Sequence, residues 1–208
     1  MRLPDPPILV ITDRKLCAEP LEARAEALFR GGCRWLSVRE NDLDSIERVA
    51  LLRRLIVIGR DFEATVGVHR DIAAAKTTGA ALHLPAGSSP ISVRHELGKA
   101  VLLGQSCHDA DELKNTVGID YATLSPVFRS GSKPGYGPWP DVADLRRLVA
   151  AASTPVIALG GIGAATLPDL AGVGVRGIAI MGEAMASAAP EIWFETVLRI
   201  WLRVRVGG

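Results

Sequence analysis

Eight short runs of aliphatic and β-branched residues recur along this 208-residue chain: ILVITD (8–13), WLSVRE (35–40), TVGVH (65–69), AALHLP (80–85), VLLGQS (101–106), YATLSPV (121–127), PVIALGG (155–161) and GIAIMG (177–182). Each is largely continuous in its apolar residues, the pattern of a parallel strand covered on both faces. The segments between them have helical composition. LEARAEALFRGG carries apolar residues at helical spacing and stops at glycine, while DSIERVALLRRL and DVADLRRLVAAA each begin with an aspartate able to cap. Eight alternations in so short a chain predict a single-domain (β/α)8 TIM barrel over residues 1–208. The last segment, EIWFETVLRIWLRV, sets Trp193, Val197, Leu198 and Trp201 on one face and reads as an outer-ring helix packed on the barrel.

Charge narrows the partners. Lys and Arg total 24 against 23 Asp and Glu, so no global field attracts nucleic acid or an acidic membrane surface. A small molecule is the expected partner, and a homo-oligomer remains open. Cys17, Cys33 and Cys107 form neither a disulfide framework nor a metal-ligand spacing, which suits reduced, mostly buried thiols in a cytoplasmic protein. The prolines of MRLPDPPILVITD interrupt what a signal peptide would need as an apolar core. ALLRRLIVIG carries two arginines and ends at Gly59, short of a membrane span, so a soluble protein is expected.

In such a barrel chemistry sits at the carboxyl ends of the strands, and phosphates commonly bind after strands seven and eight. The strand tips then supply Asp13, Arg39, His69, His83 or Ser88, Ser106, the loop after strand six, Gly160, Gly161 and Gly182. GGIGAAT (160–166) follows a strand and is expected to precede a helix, so its N–H groups could cradle a phosphate. A glycine turn required only for its tightness is the other reading, and a dinucleotide fingerprint would belong at the first strand rather than the seventh. His69-Arg70-Asp71 matches a kinase triplet without the other kinase motifs. His69 is thus a strand-end packing group, a solvent-facing imidazole or a functional one. His108 reads as a helix-start neighbour of Asp109, and His83 and His95 carry less information. No histidine pair has zinc-site spacing.

The stretch SPVFRSGSKPGYGP (125–138) concentrates glycine, hydroxyls and a lysine. Glycine lets backbone bend around an anion, Ser130 and Ser132 can donate, and Lys133 brings a compact cation. An exposed glycine-proline loop is the plain alternative to a phosphate-binding one.

Taken in order, ITD, VRE, GQSCH, SPVF with SGSK, ALGGI and the glycine-bearing strand-eight tip resemble the thiamine phosphate synthase and thiazole tautomerase superfamily over nearly the whole chain. The resemblance implies a (β/α)8 barrel that handles thiazole phosphate. In a synthase, it implies that a pyrimidine methyl pyrophosphate loses pyrophosphate and the thiazole nitrogen captures the resulting cation. Residue by residue, it implies pyrophosphate or pyrimidine contacts for Arg39 and Ser106, phosphate contacts for Ser130, Ser132 and Lys133, and backbone contacts to the thiazole phosphate at Gly161 and Gly182, beside Gly160. No organic cofactor is implied.

The chain departs from the family pattern at the metal. The lysine of the family's R-E-K tip is Asn41, the asparagine after strand three is His69, and the magnesium-binding aspartate next to it is Arg70. The second magnesium aspartate is Ser88, and Asp71, one position beyond Arg70, is a carboxylate that a one-residue shift of the match would bring to the metal site. Mg²⁺ is therefore an open cofactor. Two aspartates with Mg²⁺ sum to zero charge whereas Arg70 with Ser88 sums to plus one, so such a pocket still receives an anion, and a guanidinium grips phosphate with paired donors. The tautomerase branch of the resemblance implies a histidine where this chain has Pro126, leaving His69 as the candidate proton carrier. Three activities stay open: synthase-like condensation, tautomerisation, and a noncatalytic thiazole-phosphate-binding regulator.

Overall fold

The computed structural model describes residues 2–129 and 140–206. Eight parallel strands, β1 (Ile8–Ile11), β2 (Trp35–Val38), β3 (Thr65–His69), β4 (Ala81–Leu84), β5 (Leu103–Cys107), β6 (Tyr121–Leu124), β7 (Val156–Leu159) and β8 (Gly177–Ile180), close in sequence order into a barrel. Closure is made by β1 pairing with β8, with Ile8 opposite Ile178 and Val10 opposite Ile180. All the strands but β3 are shorter than the runs that announced them. Asp13, Arg39 and Gly161 therefore stand in the loops just beyond the strand ends rather than in the ladder.

The continuous apolar runs are explained by two separate cores. Alternate strand residues Leu9, Ile11, Trp35, Ala81, Tyr121, Ile157 and Ala179 form one cluster inside the barrel. The intervening residues, among them Ile8, Val10, Leu36, Val68, Leu82, Ala122, Ala158 and Ile178, join the cluster beneath the helices. Side chains alternate across a strand, so burying both faces demands apolar residues at nearly every position. Inside, the Tyr121 ring lies edge-on to Trp35 with centroids 4.7 Å apart. It occupies the space of a side chain at Gly104, where an added Cβ would fall 2.0 Å from the tyrosine Cζ.

The outer ring comprises α1 (Leu21–Arg30), α2 (Ser45–Arg60), α3 (Ile72–Thr78), α4 (Pro90–Leu97), α5 (Ala110–Lys114), α6 (Val142–Ala151), α7 (Gly182–Ala186) and α8 (Pro190–Val206). Asp44 and Glu47 form a reciprocal capping box at the start of α2, and Asp141 caps α6. On α8 the fully buried residues are Phe194, Val197 and Trp201, with Trp193 and Leu198 only partly covered. The stripe is rotated toward Phe194, and each such burial is worth about 2 to 3 kcal/mol. One element differs in kind. After β7 the expected helix is a 3₁₀ turn, Leu167–Leu170, because Pro168 sits in its first turn and positive-φ glycines at 172 and 174 end it.

Candidate functional site at the carboxyl rim of the barrel

The inward positions at the strand ends form a polar layer above the aromatic one. His69 on β3 lies opposite His83 on β4, their rings 4.6 Å apart and tilted by 32°. The imidazole of His83 meets Ser106 Oγ through Nε2 at 3.0 Å and the Tyr121 hydroxyl through Nδ1 at 3.1 Å, with Thr123 Oγ1 farther off at 3.4 Å. Burial pushes His83 down to about 3. His69 is also held well below its ordinary value, first by burial and then by His83, Arg39 and Arg70. Both rings are neutral at working pH. The sequence offered His83 as a strand-tip residue without a role and gave no place to Tyr121 and Thr123; the signal for those two was their spacing of two residues along β6, which ends at the rim.

Arg39 and Arg70 bring the charge. Arg39 is exposed, its Nη1 3.8 Å from Met181 Sδ, so it spans from β2 across β1 to the tip of β8. Its backbone N–H donates to Thr12 Oγ1 (3.0 Å), and Thr12 donates in turn to buried Glu40 (2.6 Å), which also accepts from the Arg14 backbone N–H. Glu40 thus ties the tips of β1 and β2 together, a role for which the sequence offered only a lone acid after a strand. Arg70 turns off β3 with φ 67°, and its N–H donates to the His83 carbonyl at 2.9 Å. Beside it Asn41, Arg48, His69, Arg70, Asp71 and Ile72 line a cleft of about 460 Å³. A second cleft of about 500 Å³ opens among the strand starts Thr65, Val66 and Ala81, at the opposite end from these groups.

Across the mouth, the chain leaving β6 runs alongside the chain leaving β7: the N–H of Val127 donates to Leu159 O (3.0 Å) and that of Phe128 to Gly160 O (2.9 Å). Gly160 and Gly161 have φ 97° and 67°, and a Cβ on Gly161 would fall 2.4 Å from Arg129 O. These glycines are required both for their backbone conformation and for the close passage of residues 128–129. Ser130, Ser132 and Lys133 lie outside the described residues; Arg129, just before them, rests on Gly161. Gly161 opens a loop rather than a helix, whereas Gly182 is the first residue of α7, with open space where a Cβ would stand. Arg39 meets Met181 beside Gly182 and acts electrostatically on His69, which packs on His83 and through it reaches Ser106, so these positions lie at the same carboxyl end of the barrel.

The residues at hand do not fit a protein-held Mg²⁺. Asp71 is committed on both oxygens, to Arg48 Nη1 at 2.5 Å and to the Ala74 N–H it caps at 2.9 Å. Ser88 Oγ donates to Pro85 O at 2.8 Å within its own loop. Among the described residues no group of three or more His, Cys, Asp or Glu could hold a metal ion. Mg²⁺ demands several free, mostly anionic oxygens, and Arg70 next to Asp71 adds repulsion.

Fold and rim together define a (β/α)8-barrel protein whose strand-end mouth combines cations, a hydroxyl and glycine turns. Within that class the chain belongs to the thiamine monophosphate synthase family, TMP-TENI, whose model matches residues 8–184. It is 35% identical over 188 residues to a thiamine-phosphate synthase of Salinispora tropica, covering 87% of this chain and 90% of that one. A thiamine-phosphate synthase of Thioalkalivibrio sulfidiphilus is 32% identical over 180 residues, covering 83% and 84%. A solved thiamine phosphate pyrophosphorylase from Pyrococcus furiosus shares the fold, with a TM-score of 0.83 at 24% identity over 95% of this chain and 96% of that one. No helix among the described residues is long and apolar enough to cross a membrane.

Proposed function

We propose that this chain condenses a pyrimidine methyl pyrophosphate with thiazole phosphate to thiamine phosphate, releasing pyrophosphate, as a cytoplasmic biosynthetic transferase. The observation that carries the reading is the single rim on which Arg39 and Arg70 flank two neutral imidazoles next to Ser106. In the reaction the methylene C–O bond breaks, its electron pair leaves with pyrophosphate, and the thiazole nitrogen lone pair forms the new C–N bond. Charge grows on the departing pyrophosphate. Arg39, Arg70 and the Ser106 hydroxyl receive it, each preorganised donor contributing about 3 kcal/mol. Ser130, Ser132 and Lys133, which follow β6 in the sequence, add hydroxyls and a cation. Gly182, with open space where a Cβ would stand, leaves room for the thiazole phosphate, and the positive-φ turn at Gly160 and Gly161 offers it backbone N–H groups.

No step is routed through Mg²⁺, since the donor set does not fit it. The buried neutral imidazoles neither oppose a developing cation nor protonate the leaving group. Tautomerisation has less support: it needs a proton carrier that titrates near neutral pH, whereas burial and the neighbouring His83, Arg39 and Arg70 hold His69 well below its ordinary value. The test is turnover with both substrates, with and without EDTA, in parallel with isomerisation of thiazole carboxylate phosphate. Thiamine phosphate is the expected product in the first assay. Absence of that product under both conditions overturns the condensation, and binding without either reaction would mark a regulator.

A further inference from the structure

We infer that His83 is a positioning residue: Tyr121 fixes its tautomer, and that tautomer turns the Ser106 hydroxyl proton out toward an anion in the barrel mouth. The inference deepens the proposed function and rests on it for Ser106 as a pyrophosphate contact.

The logic is a proton count along one buried chain. Tyr121 is 2% exposed and His83 3% exposed. A neutral imidazole offers one N–H and one lone pair, so Tyr121 on the Nδ1 side and Ser106 on the Nε2 side receive opposite roles, with Thr123 Oγ1 the more distant neighbour of Nε2 at 3.4 Å against 3.0 Å for Ser106 Oγ. Among the described residues the Tyr121 hydroxyl has a single hydrogen-bond partner, His83 Nδ1. A proton on Nδ1 would point at the phenol oxygen and leave the phenolic O–H buried without an acceptor, a cost of about 1 to 3 kcal/mol. With the lone pair on Nδ1, the phenol donates and is satisfied. Nε2 then carries the proton and donates to Ser106 Oγ at 3.0 Å.

Ser106 is the open end of the relay. It is partly exposed at the tip of β5, and His83 is the partner of its Oγ among the described residues. Because Oγ accepts from His83, its own proton is free for a ligand oxygen. The opposite tautomer would draw that proton inward and present lone pairs to an anion. His69, its register partner on β3, lies against the His83 ring with centroids 4.6 Å apart.

Two measurements test the relay. In protein labelled with ¹⁵N-histidine, His83 should show Nε2 protonated and Nδ1 bare from about pH 5 to about pH 8. Calorimetric binding of inorganic pyrophosphate should weaken about tenfold in Ser106→Ala, the scale of one hydrogen bond to a charged group. Tyr121→Phe removes only a hydroxyl and keeps the ring packed, and it should weaken binding a few-fold in the native background. In the Ser106→Ala background it should change nothing, because the relay has lost its end. His83→Gln, whose amide can accept from Tyr121 and donate to Ser106, should bind more tightly than His83→Leu.

A proton on Nδ1 overturns the inference. So does an equal effect of Tyr121→Phe in both backgrounds, which would show packing alone, or a native protein that does not bind pyrophosphate. A protein that binds pyrophosphate with the expected cycle but yields no thiamine phosphate would instead overturn the proposed reaction and leave the relay standing.

Discussion

The carboxylate of Glu183 lies against Gly163, so close that a Cβ built on the glycine would fall 2.1 Å from Glu183 Oε1. An acid on the first turn of α7 therefore faces the glycine turn after β7, where a phosphate is expected to rest. Like charges at such a distance oppose binding, moderately because Glu183 is exposed and solvent screens it. Glu183→Gln should tighten binding of inorganic phosphate by about two- to fivefold at low salt, with the gain fading toward about 1 M salt. Phosphate titrations at two ionic strengths check this; equal affinity of the two proteins at low salt would show that the anion rests elsewhere.

Arg70 gives a prediction of opposite sign. It stands at the β3 tip beside His69, and its charge is one of the causes holding that imidazole neutral. Arg70→Ala should weaken pyrophosphate binding about tenfold or more, since a charge-assisted donor is lost. In the same variant the His69 titration, followed by NMR, should move upward. Loss of affinity without that movement would place Arg70 away from the imidazole in solution.

The buried imidazoles make stability depend on pH in a definite direction. Their folded-state values lie below the unfolded value near 6.5, down to about 3 for His83. Between those limits the unfolded chain binds protons that the folded chain refuses, so stability is complete above about pH 7 and falls as pH drops toward 3. Each histidine contributes a slope of up to about 1.4 kcal/mol per pH unit in that window. Urea unfolding at about pH 7, 6 and 5 should show midpoints falling with pH, and His69→Gln should flatten the trend. A midpoint that is flat or rises on acidification would contradict the burial of these rings.

How much of this was legible in the chain can be told from particular elements. The strands announced themselves because both their faces are buried, which leaves an unbroken apolar run such as ILVI or VIAL. The turn after β7 did not, since GGIGAAT reads equally well as a helix entry and only Pro168 with the later glycines decides for 3₁₀. Arg39, His69 and Ser106 could be placed at the rim from strand ends alone. His83 could not be given a role, because a histidine mid-strand has no meaning until the register sets it between Tyr121 and Ser106. Asp71 was open as a metal ligand in sequence; its engagement with Arg48, 23 residues earlier, is a tertiary fact no local pattern carries.

Gly161 joins fold to site most directly. With φ 67° and Arg129 O where a Cβ would be, alanine there meets both a backbone penalty and a clash that a flexible side chain cannot relieve. Gly161→Ala should destabilise the protein by about 1 to 3 kcal/mol.

Gly104 carries the last prediction, because it connects packing inside the barrel to the chemistry above it. The Tyr121 ring lies where a side chain on Gly104 would stand, with an added Cβ 2.0 Å from Cζ. Trp35 packs edge-on against the same ring with centroids 4.7 Å apart, so the ring does not move without disturbing the inner core. Gly104→Ala must therefore overpack the barrel, at a cost of about 1 to 3 kcal/mol. It must also shift the phenolic hydroxyl off His83 Nδ1, which is 3.1 Å away in the native arrangement. The two consequences separate experimentally: thermal unfolding reports the packing cost, and ¹⁵N-histidine NMR at a temperature where the variant is folded reports the tautomer. We expect a lower Tm together with a His83 ring no longer held in one tautomer, and weaker pyrophosphate binding in step with the second change. A variant with a lowered Tm but an unmoved tautomer and native affinity would show that the tyrosine adjusts without transmitting its position to Ser106.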